Sequence, residues 1–369
     1  MFRLRTLLVA APLLPCAALG AHADTIHLVD GSSIEGVKIR TESLTAVDYG
    51  SKEVAAGDVV SVVYTDLPET LSNAQLSADE GDYDLALLLL DNYLETTAED
   101  GPRRGFGWAP AWAAFRKVEI YATKSDLTSM GRAAEKVISG FPESRYVPLA
   151  YLAKAEAETR TDRGAQAVKS LEALIELAET AGLSDRFRHA AEIERAAVNP
   201  AVEPLERVDT LDRLARAAGT DFPTARDRAF LAMGQLYIQV AEATEGDVSE
   251  LIDNAETQFS LVVEGDASLG ATRAGAYCGL GEVAFARATR MNDSSSLVTA
   301  RDHFLRATVL YPEVSRYAAK SMFYAGLCFR QLGDLNQDSG SKQRSRMMMR
   351  QVIAEHPATS WAEEARRYK

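Results

Sequence analysis

YCGLGEVAFARATRMNDSSSLVTARDHFLRATVLYP, residues 277–312, is followed 45 residues on by MFYAGLCFRQLGDLNQDSGSKQRSRMMMRQVIAEHP, residues 322–357. The two share a pattern more than letters. Tyr277, Leu280, Gly281, Ala300, Phe304, Ala307 and Pro312 stand in register with Met322, Ala325, Gly326, Ser345, Met349, Val352 and Pro357. One step upstream, Phe230, Met233, Gly234, Tyr237, Ala255, Phe259 and Val262 fit the same template. A fixed period of this length marks a chain built from stacked copies of one supersecondary unit.

The residue types say what the unit is. Leu280-Gly281 and Met233-Gly234 put a knob beside a point of close approach within one helix. Ala300, Phe304 and Ala307 then lie on one stripe of a second helix, small-large-small. Two antiparallel helices interlock through such surfaces, and Pro312 or Pro357 ends the second and turns the chain into the next pair. Met347, Met348 and Met349 read as filler of the same core rather than as a ligand box.

Carried outward, this pattern resembles the tetratricopeptide repeat family from about Glu69 to Lys369, most strongly in the last third and weakly between Leu183 and Ala218. Gly81-Asp82-Tyr83-Asp84-Leu85-Ala86, with Leu90 and Tyr93, looks like the second helix of such a repeat. Phe141-Pro142-Glu143-Ser144-Arg145-Tyr146, Tyr311-Pro312-Glu313-Val314-Ser315-Arg316-Tyr317 and His356-Pro357-Ala358-Thr359-Ser360-Trp361 each open a helix, with Ser placed to cap it. These phrases are similar to ones in periplasmic tetratricopeptide proteins of cell-envelope assembly. The family period is 34 residues, so longer helices or polar loops at MNDSSSLV and DLNQDSGSK must absorb the surplus. HEAT-type repeats of about 40–47 residues also span this period; the glycines and the proline after each second helix favour the tetratricopeptide reading. Seven helix pairs fit between Glu69 and His356, with a capping helix from Thr359 to Arg367. The fold expected is mainly α: a right-handed solenoid over residues 67–369.

Residues 24–66 have a different period. TIHLVDGSSIEGVKIRTESLTAVDYGSKEVAAGDVVSVVYTD alternates, is rich in β-branched residues, and carries tight-turn signals at Asp30-Gly31 and Tyr49-Gly50. About five short strands fit, and a sheet this small covers its edges by closing, so a small barrel is expected. Its opening resembles Sm-like or SH3-like barrels fused to exported repeat proteins. Residues 1–23, MFRLRTLLVAAPLLPCAALGAHA, read as a secretory signal peptide cut between Ala23 and Asp24, which places the protein in the periplasm or otherwise outside the cytoplasm. The rival is a lipoprotein signal at Cys16, but Pro15 stands where that signal needs a small residue. No later run approaches the roughly 20 apolar residues of a membrane helix.

With 40 Lys plus Arg against 53 Asp plus Glu, the net charge is −13, and losing Arg3 and Arg5 with the leader makes it −15. That balance opposes a phosphate backbone, so no nucleic acid is expected. Motifs of catalysis are missing. His27, His189, His303 and His356 share no ligand spacing, and there is no His-Glu-x-x-His, Gly-x-Ser-x-Gly, P-loop or Cys-x-x-Cys. Asp334-x-Asn336-x-Asp338-x-Gly340 falls short of a calcium loop, with Gly one place late and Ser345 where Glu belongs. Cys278 aligns with Phe323 rather than Cys328, so the thiols read as two buried apolar groups rather than a bridge. No cofactor, metal or catalytic residue is assigned.

What remains is surface. First helices of successive pairs line the concave face of a solenoid. There Arg228, Gln235, Glu282, Lys320, Phe323 and Arg330 mix apolar and charged groups as a peptide groove does, and Trp108, in the expected loop Gly101–Pro110, is a further contact for a partner. The function expected is a non-enzymatic exported scaffold that binds proteins or peptides, in envelope assembly or organisation. The alternatives are an envelope hydrolase or carbohydrate-binding protein using groove carboxylates, and a structural piece that oligomerises through its barrel.

Overall fold

The structure is a computed structural model that describes residues 23–265, 270–291 and 293–368. The leader expected over residues 1–23 lies outside the described residues except for Ala23.

Six strands form two antiparallel three-stranded sheets. One has the order β2-β1-β6, from β1 (Asp24–Leu28), β2 (Ser33–Val37) and β6 (Val59–Val63); the other runs β3-β4-β5, from β3 (Ile39–Glu42), β4 (Ala46–Tyr49) and β5 (Lys52–Ala55). Both expected turns form, with Gly31 at φ +84° and Gly50 at φ +61°, a backbone region open to glycine at little cost. The sixth strand arises because a single run is interrupted at Lys38, so that its halves serve different sheets. Ile26, Ile39, Val47 and Val59, each no more than 2% exposed, fill the space between them.

Fifteen helices follow among the described residues. They are α1 (Glu69–Asp79), α2 (Tyr83–Asp100), α3 (Ala109–Thr123), α4 (Leu127–Gly140), α5 (Val147–Arg160), α6 (Gly164–Thr180), α7 (Asp185–Val198), α8 (Pro204–Ala218), α9 (Pro223–Ala243), α10 (Ser249–Glu264), α11 (Gly270–Arg290), α12 (Ser296–Leu310), α13 (Ser315–Leu335), α14 (Ser339–Glu355) and α15 (Ser360–Arg366). They stack as seven tetratricopeptide-like pairs with α15 over the last. α7 and α8 touch less extensively than the helices of the other pairs, α7 packing chiefly on α6 and α8 on α9, in keeping with their weak sequence signal.

Where the pairs lengthen, the helices take up the surplus rather than the loops: α9, α11 and α13 have 21 residues each, against 14 in α5. The polar stretches between them act as caps. Asp338 accepts from the amides of Gly340 and Ser341 at 2.8 and 3.1 Å, and Asp334 pairs with Lys342 at 2.8 Å, so the acidic run starts a helix instead of forming an ion loop. At α15 the cap is Thr359, accepting from Ala362 N, and not Ser360; α13 starts at Ser315 with no side-chain cap.

The repeat spacing has a physical basis in Phe259 and Phe304, both fully buried. A Cβ on Gly234 would lie 2.5 Å from the Phe259 ring, and one on Gly279, in the next pair, 2.3 Å from it. Phe259 is therefore held between its own pair and the following one. Phe304 meets Gly281 in the same way, but Tyr324 stands where Gly279 stood one repeat earlier and stacks on the ring at 5.3 Å. Cys278 and Cys328 are free, each 0% exposed. Burial pushes both thiols up to about 12, so near pH 8 they stay protonated and unreactive. Both are expected to resist Ellman's reagent in the native chain and to react at once in denaturant; prompt labelling of either without denaturant would contradict this packing.

Candidate functional site

The sequence-read groove residues sit on first helices, but the chain itself covers much of that face. Arg228 on α9 reaches Glu194 at 3.8 Å. Gln235, about two helical turns on, donates from Nε2 to Tyr317 Oη at 3.1 Å. Glu282 on α11 and Lys320 on α13 form an ion pair, and the Lys320 ammonium lies 5.7 Å from the Trp361 ring. Burial by itself would lower that ammonium; the Glu282 carboxylate reverses the sign and raises it. Arg330 is exposed, its guanidinium 5.2 Å from the Tyr368 ring.

Two expected contact residues are core groups instead. Phe323 is 4% exposed beneath Trp361 and Tyr368, at 5.5 and 5.8 Å, because α15 folds back over α13. Trp108 is 5% exposed and stacks on Tyr64 at 3.9 Å with the rings 10° from parallel. Its loop returns at Gly105, φ +90°, so the indole closes the joint between the β region and α3.

That joint holds a cavity of about 300 Å³. One wall is β6, whose inner edge pairs with β1 and whose outer edge has no strand partner among the described residues. At one end Arg186 of α7 takes that edge, donating to the Val59 carbonyl at 3.1 Å. Facing β6 are Gln75 and Asp79 of α1, then Trp112, Phe115, Arg116 and Glu119 of α3, then Arg145, Tyr146 and Leu149 at the start of α5. Positions 112, 115, 116 and 119 are one helix face by spacing alone. Phe115 stacks on Tyr146 at 5.1 Å, and Arg116 is paired with Glu119 at 2.7 Å.

Beneath the cavity lies a buried polar knot. The Arg145 and Glu42 side chains are 4% and 1% exposed with Nε and Oε2 3.1 Å apart. Arg145 Nη2 donates to Tyr146 Oη at 2.8 Å, the two tyrosine hydroxyls are 3.3 Å apart, and Tyr64 Oη donates to Glu42. Burial, with the neighbouring carboxylate, raises both phenols well above their ordinary range, so they remain protonated donors.

Chemically, the cleft offers backbone edge groups, aromatic faces and two guanidiniums already paired with carboxylates. Its lining contains no His, Cys or Lys. Such a surface holds an extended chain better than it moves a proton. Sequence reasoning passed over it: Arg145 and Tyr146 were legible only as the opening of a helix, and the mixed face of α3 was the one available signal.

No protein-family model matches the chain, and no curated protein matches its sequence. Among solved structures it is similar to PilW, a widely conserved type IV pilus biogenesis factor, at 14% identity and TM-score 0.29, over 80% of this chain and 96% of that one. A tetratricopeptide repeat protein from Parabacteroides merdae gives 14% identity and TM-score 0.29 over 70% and 98%. A circular tandem repeat protein with novel repeat topology gives 15% identity and TM-score 0.24 over 81% and 74%. The fold assignment rests on the stacked helix pairs themselves.

Proposed function

We propose that this protein is a non-enzymatic, exported scaffold that holds a protein or peptide partner in the cleft between β6 and the first helices α1, α3 and α5. The observation that carries the reading is the facing of an unpaired strand edge and an aromatic helix face across about 300 Å³. An edge strand presents free N–H and C=O groups that an extended segment satisfies, and the opposite wall supplies side-chain pockets. The β region, whose β2 and β3 are one run bent at Lys38, is on this reading a small Sm-like or SH3-like barrel, and residues 24–66 and 67–369 are its two parts. Export and an envelope role are supported by the composition of residues 1–23.

A hydrolase would use paired groove carboxylates. One such pair is Glu242 with Glu282, in which burial and the Glu282 charge raise the Glu242 carboxyl. Glu282 is already neutralised by Lys320, so this pair has a single free carboxylate for acid–base work.

Linear peptides selected from a random library on the intact protein test the site. Phe115→Ala is expected to weaken the selected peptides about tenfold, as loss of an aromatic anchor does, with Arg228→Ala leaving them unchanged. Loss on Arg228→Ala alone would move the site to the concave face of α9, and a screen that returns no peptide competing at the cleft would overturn the proposal.

A further inference from the structure

In a simple solenoid each pair touches only its neighbours. Here the seventh pair reaches back across four others. Arg316, in the first turn of α13, donates from Nη1 to Glu156 Oε1 of α5 at 2.9 Å, and Ser315 Oγ lies 3.3 Å from Ser125 Oγ in the turn between α3 and α4. The next residue, Tyr317, sets the tip of its ring against Gly275 of α11, where a Cβ would come within 2.7 Å of it, and its hydroxyl receives hydrogen bonds from Gln235 of α9 and from Arg316. The segment Ser315-Arg316-Tyr317 thus crosses the inner face from α11 through α9 to α5.

We infer that the first turn of α13 is a releasable clasp: the ion pair of Arg316 with Glu156 and the seat of Tyr317 on Gly275 hold the seventh pair against the second and third. The pair is built to release. Each side chain keeps 36% of its surface in solvent, so water reaches both charges as they separate. Glu156 also has a second cation in Arg160, 3.3 Å away, which stays with it when Arg316 leaves. Burial would raise the Glu156 carboxyl, but Arg316 and then Arg160 reverse this and hold it below the usual carboxylate range. The hinge is the short link Tyr311–Val314, between the end of α12 and the start of α13. This inference does not rest on the cleft at β6: α3 and α5 border both places, but none of Ser125, Glu156, Ser315 and Arg316 lines the cleft.

The test is a thiol trap in the full-length protein. With Ser125→Cys and Ser315→Cys together, mild oxidation is expected to join the two positions quickly, since their hydroxyl oxygens are already within reach of disulfide geometry. The control pairs Ser315→Cys with Ser139→Cys, at the far end of α4. The native thiols, both buried, take no part. Adding Arg316→Glu should slow the trap roughly tenfold, the consequence of losing an ion pair and gaining a like-charge contact, and the exchange Glu156→Arg with Arg316→Glu should restore it. Should Arg316→Glu lose its helical circular dichroism, Arg316→Gln is read in its place, because Arg160 still neutralises Glu156. A trap no faster than the control shows that α13 does not reach the turn before α4, and a rate indifferent to both Arg316 variants shows that the ion pair does not hold the closure. Either result overturns the inference, and neither bears on peptide binding at the cleft.

Discussion

Phe259→Ala is expected to lower the free energy of unfolding by about 3–5 kcal/mol, the range for removing a fully buried aromatic ring. The upper part of that range applies because the walls cannot collapse. Gly234 and Gly279 face the ring, and neither has a side chain that can swing into the space left behind. Ile252, Ala255 and Val262 of the same helix are themselves 0% exposed and already fixed in the core. Phe259 also joins the fifth pair to the sixth, so its loss weakens the contact between repeats along with the packing inside one. Urea unfolding followed by circular dichroism measures the effect. A loss below about 1 kcal/mol would mean that the ring is not pinned between two glycines, and the packing account of the 45-residue period would fail with it.

Glu42→Ala is expected to cost a comparable amount, about 3–5 kcal/mol, by a different mechanism. The substitution leaves the Arg145 guanidinium 4% exposed with no carboxylate beside it and removes the acceptor of Tyr64 Oη. An uncompensated buried charge is more costly than a missing pair, so replacing both partners by apolar residues, Glu42→Leu with Arg145→Met, is expected to recover most of the loss. Glu42 belongs to β3 and Arg145 stands just before α5, so the single variant should also loosen the β region and make the link 64–68 sensitive to limited proteolysis. Equal destabilisation of the single and double variants, or a single variant as stable as wild type, would show that the pair does not join the two parts.

Legibility differs sharply between fold and site. The helical period, the prolines that follow several second helices (Pro142, Pro312, Pro357) and the stripe Ala300, Phe304, Ala307 announce the pairs because each obeys a rule local to one or two helices. The turns at Gly31 and Gly50 and the alternation of residues 24–63 announce the strands for the same reason. The sharing of one run between two sheets at Lys38 was not legible, since a break between sheets leaves the alternation almost intact. Nor was the division of the surplus: a polar stretch such as DLNQDSGSK suits a loop or a capped helix start equally, and Asp338 chose the second.

The sequence alone determined that this chain is a β region followed by stacked helix pairs with a final capping helix, because periodicity and turn chemistry act over a few residues and report directly on local structure. The tertiary structure decided which of the chain's own parts occupy the inner face. Trp108 and Phe323 look like surface aromatics until Tyr64 and α15 cover them, and Arg316 looks like a solvated charge until α13 brings it to Glu156, 160 residues away. Such contacts depend on how far each pair turns relative to the last. A small angle repeated over several pairs sets whether distant residues meet, and no single stretch of sequence carries that sum.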